Sequence, residues 1–240
     1  MVRINKWLSE MGVCSRKQAD CLIMSGQVLV NQQPASLGMK IQAGDQVMVK
    51  GEMIETIPAP IFLLYHKPVG VVCTHDLSVK NNIEQAVQFP QRVFAVGRLD
   101  KASEGLMLLT NQGDSVNKIM RAENHHQKVY RVWVDKSITD DFLIKMANGV
   151  PILNTVTLPC QVDFVDEYQD KTVFEISLRQ GLNLQIRRMC KALGYRVLRL
   201  QRIKIMQFEL LGLPLGENRV LDDEQIKLLQ DSIENSINEV

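Results

Sequence analysis

From Lys128 to Val134 the chain sorts its side chains onto two faces of an extended segment, Tyr130, Val132 and Val134 on one and Val129, Arg131 and Trp133 on the other. Thr172 to Leu178 repeats the pattern, with Phe174, Ile176 and Leu178 on one side. Segments of this period belong in a sheet. At Gln185 the period switches. Ile186, Met189, Cys190 and Leu193 fall at i, i+3, i+4 and i+7, which predicts a helix ended by Gly194, with Arg187, Arg188 and Lys191 off its apolar stripe. The links from Val71 to Val96 and from Leu106 to Tyr130 are irregular and repeat no βαβ unit. The expected fold class is therefore α+β, a mixed and largely antiparallel sheet with helices packed on it.

Other elements follow from local signals. Ile4, Leu8 and Met11 have helical spacing. Ser15 and Gln18 form a capping box for a second helix that Gly26 closes, and Val28–Val30 and Val47–Val49 read as strands. Ile57-Pro58-Ala59-Pro60 reads as a stiff linker. The expected division is 1–57 for a small domain, 58–60 for the linker and 61–240 for a larger domain. In the larger domain, Ile61–Tyr65, Val71–Thr74 and Val93–Val96 are expected strands, separated by a short helix over Asn82–Phe89. A helix capped at Ser137 or Thr139 and a last one from Asp222, with Gln225 at the capping-box position, complete the series.

Net charge over the 240 residues is only +1, but its distribution is uneven. Arg179, Arg187, Arg188, Lys191, Arg196, Arg199, Arg202 and Lys204 follow one another with no acid among them, and an acidic C-terminal stretch offsets them in the total. A basic cluster of this kind suits phosphate binding, and equally a solvated helix face. The five cysteines are scattered without a CxxC pair and are expected to be reduced thiols. His125-His126 is the only histidine cluster, so no metal is expected. No apolar run approaches the roughly 18 residues of a membrane span, and no secretory leader opens the chain, so a cytoplasmic protein is expected.

The helix pair bearing Arg3, Lys6, Arg16 and Lys17, with the SRKQAD and GQVLVN runs, resembles the S4-type RNA-binding domain. That resemblance implies that these four residues meet RNA phosphates by charge. Three further stretches stand behind it in order: Gly97-Arg98-Leu99-Asp100 with Gly105-Leu106, Lys128-Val129-Tyr130, and Gln185-Ile186-Arg187-Arg188-Met189. Taken alone, an Asp between two strands caps a turn as readily as it does chemistry. Together the three stretches resemble the RsuA-type pseudouridine synthases, in particular their RluF-like branch acting on large-subunit ribosomal RNA.

The resemblance implies an RNA isomerase without a cofactor, with Asp100 as catalytic aspartate, Tyr130 stacking on the target base, and Arg187 as the cation that keeps Asp100 ionised. It further implies RNA contacts from Arg98, Leu99, Gln185, Ile186 and Arg188. Ribosomal RNA is the expected partner, transfer RNA a second candidate, and the chain a monomer. The target nucleotide would be flipped out of its stack to reach a carboxylate. Leu184 departs from the family, whose members commonly carry Arg there. Two other classes stay open on the residues alone: a noncatalytic RNA-binding or ribosome-assembly factor, and a nucleoside glycosidase, which would need the second carboxylate that only Glu104 offers nearby.

Overall fold

The computed structural model describes residues 1–55, 58–76, 78–121, 126–165 and 171–236. Ile57, the last residue of the expected first domain, and His125 of the histidine pair lie outside them. Two compact units emerge: Met1–Ile61 with Pro90–Arg92 and Asn111–Gly113, and the remainder from Phe62.

The first unit runs β1 (Val2–Arg3), α1 (Ile4–Glu10), α2 (Arg16–Met24), β2 (Val28–Val30), β3 (Gln33–Pro34), β4 (Lys40–Ile41), β5 (Val47–Val49) and β6 (Glu52–Met53). The Ser15 side chain accepts from the Gln18 N–H while Gln18 reaches back to the Ser15 N–H, so the capping box forms as expected. Gly26 sits at φ +70°, the left-handed position that ends such a helix at least cost. Ile4, Leu8, Ala19, Ile23, Val28, Val30, Val47 and Val49 close one small core. Arg3, Arg16 and Lys17 are exposed, and Lys6 pairs with Glu10 at 3.5 Å.

The second unit runs β7 (Phe62–Lys67), α3 (Ile83–Val87), β8 (Phe94–Val96), β9 (Glu104–Thr110), α4 (Gly113–Met120), β10 (Lys128–Val134), α5 (Asp140–Asn148), β11 (Pro151–Ile152), β12 (Thr155–Val156), β13 (Gln161–Phe164), β14 (Val173–Leu178), α6 (Gln185–Ala192), β15 (Val197–Ile205), β16 (Phe208–Glu209), β17 (Asn218–Val220) and α7 (Asp223–Ile233). Its central sheet has the order β13-β14-β10-β15-β9-β7-β17, with β16 beside β15 and β8 beside β9. Among the described residues every pairing in this sheet is antiparallel except β15 with β9, where Gln201 faces Glu104 and Arg202 faces Gly105. The α+β class with a mixed, largely antiparallel sheet is what the periodicity predicts.

Two apolar clusters cover the sheet. Val132, Val134, Phe174, Ile176 and Leu178 pack with Phe142 and Met146 of α5 and Ile186, Met189 and Cys190 of α6. Phe62, Leu64, Leu106, Leu108 and Ile205 pack with Ile119 of α4 and Leu229 and Ile233 of α7. Each such side chain taken wholly out of water contributes about 1.5–3 kcal/mol, which holds the helices to the sheet.

Two expectations fail here. Val71–Thr74 forms no strand but a single bridge from Val72 to Asn82, because its polar groups serve neighbouring loops: the Val72 N–H donates to Asn81 O and the Cys73 sulfur accepts from the Leu99 N–H. The stretch between Leu106 and Tyr130, read from the sequence as irregular, contains the helix α4, which buries Ile119 against the sheet.

Candidate active site

The loop carrying Asp100 is tied down along its length. The Ser103 N–H donates to Asp100 O at 3.0 Å to close the turn, the Gly70 N–H donates to Lys101 O at 2.7 Å, and the Leu99 N–H meets Cys73 Sγ at 3.4 Å. Beneath it lies Lys67, wholly buried. Its ammonium donates to Ser103 O at 2.7 Å, Pro68 O at 3.0 Å and Asp100 O at 3.2 Å, so all three of its N–H donors are used. Burial lowers the pKa of Lys67, and the opposing charges of Cys73 and Asp100 act the other way. A cation thus cross-links the loop from inside, leaving the Asp100 side chain half-buried at its surface.

The loop ends in the Gly105 of the GRLDxxxxGL run, and the structure gives the physical reason for that glycine. Gly105 has φ +117° and lies against the backbone of Arg202 across the parallel β9–β15 seam, where a Cβ would overlap the Arg202 carbonyl oxygen and amide nitrogen. The seam joins the half of the sheet that carries Asp100 to the half that carries Tyr130 and the α6 residues. Only a residue without a side chain lets the two halves close to ladder distance.

Next to the loop opens a cavity of about 470 Å³, within the usual range for small-ligand sites. Arg98, Leu99, Asp100, Tyr130, Gln185, Ile186 and Arg187 all line it, so the three separated sequence motifs converge on one space. Asp100 is its only carboxylate among the described residues, facing six lining cations. Tyr130 is half-buried and packs in part against the cluster under α6. Ile186 is nearly buried, which suits the wall of a pocket.

Three of the expected RNA-contacting residues are occupied locally. Gln185 is buried at the start of α6, where its Oε1 accepts from the Leu182 N–H at 3.0 Å, in place of a side-chain cap from Leu184. Leu99 is buried within the loop. Arg188 does not line the cavity and binds Asn183 O at 3.0 Å and Asn183 Oδ1 at 3.2 Å. Leu184 itself is held at φ 52° on the cavity rim and is 38% exposed, an apolar residue at an entrance otherwise rich in cations.

Arg187 differs from the expected direct partner of Asp100. Its Nη2 donates to Ala102 O at 3.0 Å and Ser103 Oγ at 3.2 Å, its Nη1 reaches Val197 O at 3.5 Å, and its buried Nε has no partner among the described residues. The guanidinium therefore grips the far end of the Asp100 loop instead of the carboxylate. The carbonyl and hydroxyl there present fixed acceptors two and three residues beyond Asp100.

Sequence reasoning missed the buried cations. Lys67, Lys128 and Arg202 are 0%, 8% and 2% exposed, and two of them line the cavity. A signal existed in each case, since a Lys or Arg inside an apolar strand is rarely buried without a purpose. Arg202 donates from Nε to Leu106 O at 2.7 Å and from Nη2 to Met107 Sδ at 3.4 Å. Next to the loop, Arg199 donates to Glu104 Oε1 at 2.6 Å and stacks 4.4 Å from the Trp133 ring, so Glu104 is spent on an ion pair.

Comparison with known proteins agrees with this geometry. Residues 61–192 match the family model described as RNA pseudouridylate synthase, and residues 2–47 match the S4 domain. The chain is 48% identical to the dual-specificity RNA pseudouridine synthase RluF of Escherichia coli K12, over 100% of this chain and 82% of that one. It is 32% identical to the ribosomal large subunit pseudouridine synthase B of Bacillus subtilis, over 96% of each. A crystal structure of a pseudouridylate synthase superimposes with a TM-score of 0.68 at 26% identity, covering 95% of this chain and all of the other. With its two matched regions, its full-length relatives and its convergent motifs, the chain belongs to the RNA pseudouridine synthase family and carries an N-terminal S4 domain.

Proposed function

We propose that this synthase isomerises one uridine of 23S ribosomal RNA, in the cytoplasm and as a monomer, with Asp100 as its catalytic carboxylate. The observation that supports it most is that Asp100 is the one carboxylate among the described residues of the cavity, held by a loop that Lys67 anchors from below. Residues 1–57 serve as the RNA-binding domain, 58–60 as linker and 61–240 as the catalytic domain. Transfer RNA is a second substrate to be tested, since the similar E. coli enzyme is a dual-specificity synthase.

The reaction breaks the N1–C1′ bond, turns the freed uracil and joins C5 to C1′. Asp100 either bonds C1′ and is later displaced by C5, or takes the C2′ proton to give a glycal and later returns it. Tyr130 stacks on the flipped base, Ile186 packs the pocket wall, and Arg187 holds the far end of the loop with its Nε left for the carboxylate or substrate. Arg3, Lys6, Arg16, Lys17, Arg98 and Arg188 meet RNA phosphates, while Leu99 and Gln185 shape the cavity. Unstacking the target costs a few kcal/mol, offset by stacking and phosphate contacts.

Asp100→Asn is expected to abolish tritium release from C5-labelled uridine while RNA affinity stays within a few fold. An active Asp100→Asn enzyme refutes the assignment. Mapping pseudouridines in RNA from a deletion strain against its parent identifies the substrate through the missing site; an unchanged map removes the 23S assignment.

A further inference from the structure

The three buried cations around the cavity differ in how completely they are satisfied. Lys67 uses every N–H on loop carbonyls, and Arg202 is held by a carbonyl and a thioether. Lys128 is 8% exposed and lines the cavity, yet among the described residues its ammonium has one acceptor, His126 O at 3.0 Å. The other two of its three donors have no acceptor among the described residues. Its charged neighbour is Arg202, another cation, and no carboxylate pairs with it among the described residues. A buried ammonium so arranged weakens the free protein, and a ligand that brings an acceptor or a negative charge relieves it.

Position makes the ligand specific. Lys128 and Tyr130 stand two apart on β10 and therefore on one face of the strand, and both line the space that Asp100 opens onto. When N1–C1′ breaks, the electron pair stays on uracil and spreads over N1, O2 and O4. Resting on the assignment of Asp100 as catalytic carboxylate, we propose that Lys128 is a further catalytic residue, donating to a carbonyl oxygen of the uracil ring and stabilising the charge that gathers there once the base is detached.

Atoms and charges balance without bond changes at Lys128. C5 joins C1′, the C5 proton leaves, N1 gains a proton, and the ring is neutral again while the ammonium remains protonated throughout. Such a donor acts in the manner of an oxyanion hole, placed before the reaction and shielded from water.

The test is single-turnover isomerisation of a ribosomal RNA fragment by the full chain. Lys128→Met is expected to lower the rate about 100-fold or more with RNA Kd within threefold, as for loss of an oxyanion donor. Lys128→Arg, which keeps the charge, is expected to recover at least about a tenth of the wild-type rate. RNA carrying 5-fluorouridine provides the second readout, because fluorine itself stabilises the detached anion. The deficit of Lys128→Met in glycosidic cleavage should shrink several-fold on that substrate, which a packing defect would not produce.

A Lys128→Met rate within threefold of wild type, a loss confined to RNA affinity, or an equal deficit on both substrates overturns the proposal. If Lys128→Met does not fold, Lys128→Leu, which also lacks a donor, takes its place under the same criteria. Asp100→Asn runs in parallel: its inactivity beside an active Lys128→Met refutes Lys128 alone, whereas an active Asp100→Asn removes the site on which both assignments stand.

Discussion

Replacing Lys128 by Met should make the free protein more stable at neutral pH, and the size of the gain can be worked from its surroundings. Burial, with Arg202 adding repulsion, lowers the pKa of Lys128 from an ordinary 10.5 to about 8. At about 1.4 kcal/mol per tenfold change in proton affinity, the folded state gives up roughly 3 kcal/mol at pH 7 to keep the ammonium there. Met fills a similar volume without charge, but it leaves the His126 carbonyl without its donor, a loss of about 1–2 kcal/mol. The net expectation is a gain of roughly 1–2 kcal/mol for Lys128→Met.

The pH dependence carries the sign. The unfolded chain keeps the Lys128 proton up to about pH 10.5 and the folded chain only to about pH 8, so between these values the unfolded state binds more protons. Wild-type stability relative to the variant therefore rises with pH across that window, and below pH 8 the full penalty remains. Urea unfolding of both proteins at pH 7 and pH 10, followed by far-ultraviolet circular dichroism, measures the difference, and groups common to both cancel. Variant and wild-type stabilities that run parallel from pH 7 to 10.5, or a variant less stable at pH 7 by more than about 2 kcal/mol, would refute the burial argument.

Two other substitutions probe the framework of the site. Gly105→Ala forces a Cβ into the Arg202 backbone at a positive φ, so it should cost about 3 kcal/mol or more and open the β9–β15 seam; a thermal midpoint within about a degree of wild type would contradict this. Lys67→Met removes the donor shared by Ser103 O and Asp100 O, so kcat should fall about 10- to 100-fold through a loosened loop with KM nearly unchanged. Normal kcat in a folded Lys67→Met enzyme would show that the loop holds its shape without the buried cation.

Local signals determined much of this protein from the chain alone. The capping boxes at Ser15 and Asp222, the alternation in β10 and β14 and the helical period after Gln185 depend on neighbours in sequence, and each forms where its residues stand. The three motifs likewise located several residues that line the cavity, Asp100, Tyr130, Ile186 and Arg187 among them, because spacing within a motif survives folding.

What the chain alone left undecided depends on partners far away in sequence. The apolar run at Val71 becomes a loop because its polar groups are claimed by Asn81 and Leu99, not by a sheet edge. Lys67 and Lys128 look like ordinary strand cations until carbonyls 33 to 36 residues away surround one of them and Arg202 faces the other. Arg187 was legible as a site residue, yet its hydrogen bonds to Ala102 and Ser103, rather than to Asp100, were set by how α6 meets the loop. Periodicity places a residue on a face and a motif gives it a neighbourhood. Desolvation and long-range hydrogen bonding, which exist only once the β9–β15 seam closes over Gly105, decide what charge that residue can carry and which atom it holds.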